Sequence, residues 1–240
     1  SHGRDELHAA VAVRFWLRAR GLQAIALRAF VLAALLAPVM VPAQSSSLTA
    51  VELAQRIDRH YNSLHSLEVQ FSQKYEGMGM NRKEAGVLLL KKPGKMRWKY
   101  SQPQGKLFVL DGKYGYFYSP GDTEVQRVPV KKLDDMRSPL RLLLGHAKLE
   151  QELTNLAIAP QADGTYVLTG IPRVLEKRVA AFSVTATADG VIRSMKVEET
   201  DGITNAFVFA DEKPDAAAPD AEFVFAAPPG VKVVEGLPPV

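Results

Sequence analysis

Side chains able to do chemistry are few and scattered in this 240-residue chain. Beyond residue 43 the histidines are His60, His65 and His146, with no His-x-x-x-His pair, and the chain has no cysteine, so the usual zinc ligand sets are missing. His60 and His65 stand around a predicted helix end and are expected to be solvated. Glu198, Glu199 and Asp201 form the one dense carboxylate group. Beside Gly202 they read as a solvated hairpin end, because paired-carboxylate catalysis needs a partner placed across a cleft. No Gly-x-Ser-x-Gly elbow, phosphate-binding glycine loop or dinucleotide fingerprint occurs. These residues call for no metal, no cofactor and no enzymatic activity. What is concentrated instead is aromatic and aliphatic surface between Gly86 and Tyr118. There Val87 to Leu90 runs into a Lys91-Lys92-Pro93-Gly94 turn. Met96, Trp98 and Tyr100 then alternate with Arg97 and Lys99, Leu107 to Leu110 precedes an Asp111-Gly112 turn, and Tyr114, Tyr116 and Tyr118 recur at period two. Such a meander must bury its rings against its own chain or against a guest.

The elements that position this surface follow from periodicity. Thr49 to Glu52 has a capping-box pattern, and Leu53, Ile57, Tyr61 and Leu64 recur at helical spacing, which predicts one apolar stripe lying on a sheet. Leu67, Val69 and Phe71 alternate with polar residues in a half-buried strand, and Gly77 to Asn81 is expected to form a flexible hairpin loop. A strand through Val125 and Val128 follows the turn at Pro120-Gly121. Ser138, Pro139, Leu140, Leu143, Leu144 and Gly145 then predict a short helix with an apolar face. Strands are expected again at Leu153 to Ile158, Tyr166 to Thr169, Ala180 to Ala186, Val191 to Val197, Ile203 to Phe209 and Phe223 to Phe225, with a tail around Gly236-Leu237-Pro238-Pro239. About ten strands in hairpin order with two or three helices predict a mainly β (α+β) fold, a single curved antiparallel sheet with helices on one face. If the sheet curls without closing, its concave face makes a cavity and the helices its lid. The apolar inner surface is then either an ordinary core or a ligand cavity, and pattern does not separate the two.

Residues 1–43 are set apart by composition. Arg14, Arg18, Arg20 and Arg28 precede an apolar run from Ala29 to Val41 that ends in small residues, which reads as a secretory leader and leaves 44–240 as a single domain. The leader holds five Arg against Asp5 and Glu6, so of 30 basic and 26 acidic residues 25 and 24 remain in 44–240. That near-neutral balance removes the basic excess expected of nucleic-acid binding. An exported domain without disulfides fits a bacterial periplasm when its core is large, and 47% of this chain is hydrophobic.

Phe71-Ser72-Gln73-Lys74, Gly86-Val87-Leu88, Lys92 through Trp98, Gln102-Pro103, Asp111-Gly112, Tyr118 with Pro120, Ser138-Pro139-Leu140, and Phe223-Val224-Phe225 before Pro228-Pro229-Gly230-Val231 follow one another along the chain. Taken together, in this order and spacing, they resemble the LolA family of periplasmic outer-membrane lipoprotein carriers. The resemblance implies an unclosed β-barrel under an α-helical lid, acting as a monomer without a cofactor. Its cavity would take the acyl chains of lipoproteins received from an inner-membrane ABC transporter and passed to an outer-membrane receptor. The cavity residues implied here are Ile57 and Leu64 on the helix, Leu67 and Phe71 on the first strand, and Met96, Trp98, Tyr100, Leu110 and Tyr116 in the meander, with Leu140 and Leu143 in the lid. The family's lid-closing arginine before the turn proline is Lys92 in this chain, a point charge in place of a five-donor fork. Lys92 is expected to reach lid carbonyls with a weaker hold. A lipid-sensing or regulatory binding protein on the same fold, and a carrier of another lipid, are the readings that stand beside this one.

Overall fold

In the computed structural model, which describes residues 47–133, 142–145 and 147–236, Thr49 caps helix α1 (Ala50–Ser63). The Glu52 amide donates to Thr49 Oγ1 at 3.2 Å and the Thr49 amide to Glu52 Oε2 at 2.9 Å, the reciprocal bonds of a capping box. Leu53, Ala54, Ile57 and Tyr61 are the buried stripe, and Leu64 leaves the helix as its extended C-cap. The leader, Ser138 to Leu140, His146 and residues 237–240 lie outside the described residues.

Twelve strands form one sheet: β1 (Ser66–Gly77), β2 (Met80–Lys91), β3 (Lys95–Gln102), β4 (Gln104–Asp111), β5 (Tyr114–Tyr118), β6 (Glu124–Pro129), β7 (Leu153–Pro160), β8 (Tyr166–Pro172), β9 (Val179–Ala186), β10 (Ile192–Glu199), β11 (Thr204–Pro214) and β12 (Lys232–Glu235). Their order is β12-β6-β5-β4-β3-β2-β1-β11-β10-β9-β8-β7, antiparallel throughout except for the parallel pair β12–β6. The edge strands β12 and β7 do not meet, so the sheet is unclosed. The chain starts mid-sheet at β1 and meanders out to β6. It then passes to the opposite edge and meanders back until β11 pairs with β1. Of the crossing between β6 and β7, the described residues Leu142, Leu143, Leu144, Ala147 and Leu149 are buried in the same core as α1. A four-residue helix α2 (Leu149–Glu152) ends it.

Two sequence expectations change. Gly77 to Asn81 is a two-residue turn with Met78 and Gly79 at φ 50° and 78°, so β1 and β2 stay paired out to Gly77 and Met80. Phe223 to Phe225 is not a strand. Asp220–Phe223 is a 3-10 turn lying on β3 and β4, and the last strand is instead β12, which lies just ahead of the expected tail.

Candidate functional site

Strand register sorts the meander into two faces. Leu67, Leu90, Met96 and Leu110 stand opposite one another across β1 to β4, as do Val69, Leu88, Trp98 and Phe108, and both rows are buried in the core. One residue out of phase, Arg97, Val109, Tyr116 and Arg127 form a row on the other face. There Arg97 pairs with Glu222, Tyr116 stacks on Phe225 at 5.1 Å, and Lys91 and Lys95 each donate to Asp220 at 2.9 Å.

The inner face gathers most of the residues named from sequence. Ile57, Leu64, Leu67, Phe71, Met96, Trp98, Leu110 and Leu143 belong to one cluster, with Tyr100 packed against it. Tyr116 does not join them. The three tyrosines of β5 do share a face, but it is the outer one, because Gly115 and Phe117 occupy the inward positions beside Phe108. Leu140 lies outside the described residues. Several inner residues escaped the sequence reading, although a signal for them existed. Phe207 and Phe209 alternate along β11 and stack on each other at 6.1 Å, and Leu88 and Leu90 continue the inward phase of Gly86.

α1 is fastened over this face by polar contacts. Lys92 Nζ donates to the Tyr61 carbonyl at the C-terminal end of the helix, satisfying one of the acceptors a helix end leaves open. Gly145 of the crossing segment lies against that contact. A Cβ on Gly145 would come within 2.9 Å of both the Lys92 ammonium and the Tyr61 carbonyl oxygen. Burial holds the Lys92 pKa below the ordinary lysine value, with Asp215 acting against the shift. Tyr61 donates its hydroxyl to Glu212 Oε2 at 2.8 Å and accepts the Ile192 amide at 3.0 Å, while His60 Nε2 lies 2.6 Å from Glu212 Oε1. Burial, reinforced by the Glu212 carboxylate, pushes the Tyr61 hydroxyl pKa far up. His60, expected in solvent, is instead only 20% exposed. Sequence could not show this, since Glu212 lies 152 positions away. His65 is 93% exposed, and the Glu198 to Asp201 group forms the β10–β11 turn, where Asp201 accepts the Ile203 amide at 3.1 Å.

Between the helices, Asp58 Oδ2 accepts the Leu149 amide at 3.0 Å, while Oδ1 is buried with no hydrogen-bond partner among the described residues. Burial raises the Asp58 pKa to about 6; the Leu149 bond opposes the shift, and Glu152 and Glu150 add to it. The folded protein therefore holds this proton at pH values where the unfolded chain has released it. Stability from this group is full below the ordinary carboxylate pKa of 3.8 and is lost as pH rises through about 6. Asp58→Asn keeps an acceptor for Leu149 and removes the charge. Relative to wild type it is expected to gain about 1–2 kcal/mol between pH 4 and pH 7.5, less than the full shift implies because the half-buried group keeps some hydration. Urea unfolding at four pH values checks this; parallel curves for the two proteins would refute it.

An unclosed antiparallel sheet around an apolar interior, with a helix fastened across it, defines a class of lidded half-barrels. Within that class the chain belongs to the LolA family: residues 62–226 match the family described as outer membrane lipoprotein carrier protein LolA. A protein of Chromobacterium violaceum named outer-membrane lipoprotein carrier protein is 28% identical over 204 residues, covering 85% of this chain and 95% of its own length. One of the same name from Dechloromonas aromatica is 30% identical over 177 residues, covering 70% of this chain and 81% of its own. The crystal structure of a LolA superfamily protein from Nitrosomonas europaea covers 75% of this chain and 99% of its own at 12% identity, with a TM-score of 0.41.

Proposed function

We propose that this protein is a non-enzymatic periplasmic carrier that takes the acyl chains of lipoproteins against the inner face of its sheet. It receives them from an inner-membrane ABC transporter and surrenders them to an outer-membrane receptor, working as a monomer. The observation that carries the reading is the continuous apolar inner face beneath α1 and Leu142 to Leu144, in a chain of this family. Each methylene moved from water to such a surface is worth about 0.8 kcal/mol, so a multiply acylated protein needs a shield to cross an aqueous space. Release is equally necessary. It is favoured by a cover held through a few replaceable contacts, such as those of Lys92 and Glu212, and by an adaptable thioether at Met96.

The test is to incubate the purified protein with inner-membrane spheroplasts and measure lipoprotein in the soluble fraction. Release in proportion to added protein is expected, and no release together with no co-purified lipoprotein would end the carrier reading. In the same assay Lys92→Arg is expected to slow uptake roughly three- to tenfold, because a planar fork adds about one further hydrogen bond to the lid carbonyls. Unchanged uptake and release rates would remove Lys92 from the closing mechanism.

A further inference from the structure

Polarity on the inner face rises in steps along β3. The row at Met96 holds only Leu67, Leu90 and Leu110 beside it. The next row holds Trp98, whose indole Nε1 is buried and has no hydrogen-bond partner among the described residues. Its ring neighbours are Phe71 at 4.7 Å and Phe207 at 6.0 Å, which carry no polar atom in their side chains. One step further, Tyr100 packs edge-on to the same Phe71 ring at 5.1 Å, with its hydroxyl pKa pushed up by burial. Beyond Tyr100 the face turns ionic. Lys106 Nζ lies 4.6 Å from the Tyr100 ring centroid and donates to both oxygens of the buried Glu84 carboxylate at 2.7 Å.

A buried N–H left without an acceptor is destabilising, and native interiors rarely retain one. An aromatic whose only task was to fill space would carry no donor, and phenylalanine already serves that purpose at positions 71, 108, 207 and 209. We infer that the Trp98 indole N–H is a ligand contact: it donates to an ester or amide carbonyl at the head of a bound acyl chain. The hydrocarbon then lies toward Met96 and the headgroup toward Tyr100 and the Glu84–Lys106 pair. This rests on the carrier reading and adds to it a selection for acyl over alkyl chains. Greasy surface alone would select the other way, since a carbonyl taken from water into an apolar site without a donor is penalised.

The probes are a cysteinyl peptide thioether-linked to glycerol bearing two palmitoyl esters, and its analogue with two hexadecyl ethers. Their affinities are measured by competition against a fluorescent fatty acid. Wild type is expected to bind the ester about five- to tenfold more tightly than the ether, the size of one net hydrogen bond. Trp98→Phe should bring the ester down to or below the affinity of the ether and leave the ether unchanged. In protein labelled with 15N-tryptophan, the Trp98 indole proton should move downfield with the ester and not with the ether. The wild-type ratio and this resonance decide the matter even if the variant does not fold. Tight binding of both probes with equal affinity and no indole shift would overturn the Trp98 contact and leave the carrier reading standing. Failure of both probes to bind would overturn the two together.

Discussion

Tyr61→Ala is expected to cost about 3–5 kcal/mol of unfolding free energy, the range for truncating a buried aromatic. Tyr61 is 1% exposed and ties three elements together. Its ring fills the core under α1, its hydroxyl joins Glu212 on β11 to the Ile192 amide on β10, and its carbonyl accepts Lys92. In a domain of this size the loss corresponds to a fall in Tm of roughly 10 °C. Tyr61→Phe separates the two contributions. It keeps the ring but strands a buried amide and one oxygen of a nearly buried carboxylate, which costs about 1–3 kcal/mol. Urea unfolding at a single pH measures both variants. If Tyr61→Phe matches wild type, the Glu212 clamp contributes nothing to holding the lid and that part of the account is wrong.

Gly190→Ala should cost roughly 2–5 kcal/mol, although it adds one methyl group. Gly190 sits at φ 96° in the β9–β10 turn, where an alanine is strained by about 1–2 kcal/mol. In addition, its Cβ would lie 2.5 Å from the carbonyl carbon and oxygen of Arg56 and 2.7 Å from the Ile57 amide nitrogen. These are backbone atoms of α1, which cannot rotate aside, so the helix must rise off the turn and give up the Arg56 bond to the Ala188 carbonyl at 2.8 Å. Overpacking of this kind adds about 1–3 kcal/mol. Gly164→Ala is the control, since it has φ 83° and nothing within 4 Å of the added Cβ, so only the conformational cost of about 1–2 kcal/mol applies. Hydrogen exchange should also quicken along α1 in Gly190→Ala and not in Gly164→Ala. Equal destabilisation by the two substitutions would remove Gly190 from the seat of the lid.

Much of this architecture can be read from local pattern. The capping box at Thr49, the helical stripe of α1, eleven of the twelve strands and the Asp111-Gly112 and Asp189-Gly190 turns all show in the sequence. They do so because backbone period and turn stereochemistry act over a few residues. The motifs shared with the family run through the same stretches and carry the mainly β fold and the lid with them. Alternation also showed that Tyr114, Tyr116 and Tyr118 share one side of their strand.

What alternation could not reveal is which side that was. The inward phase of β5 is set by its register against β4, where Phe117 meets Phe108, and by a C-terminal segment that covers the outer face and supplies Phe225 to Tyr116. The pairing of β1 with β11, the parallel docking of β12 on β6 and the capture of His60 and Tyr61 by Glu212 each join residues more than a hundred positions apart. No local periodicity encodes such a partner. The same limit applies to Trp98, whose place in a strand is plain from sequence. That its indole Nε1 is buried without an acceptor among the described residues, with Phe71 and Phe207 against the ring, depends on β1 and β11 closing around it, and this sets it apart from an ordinary core tryptophan.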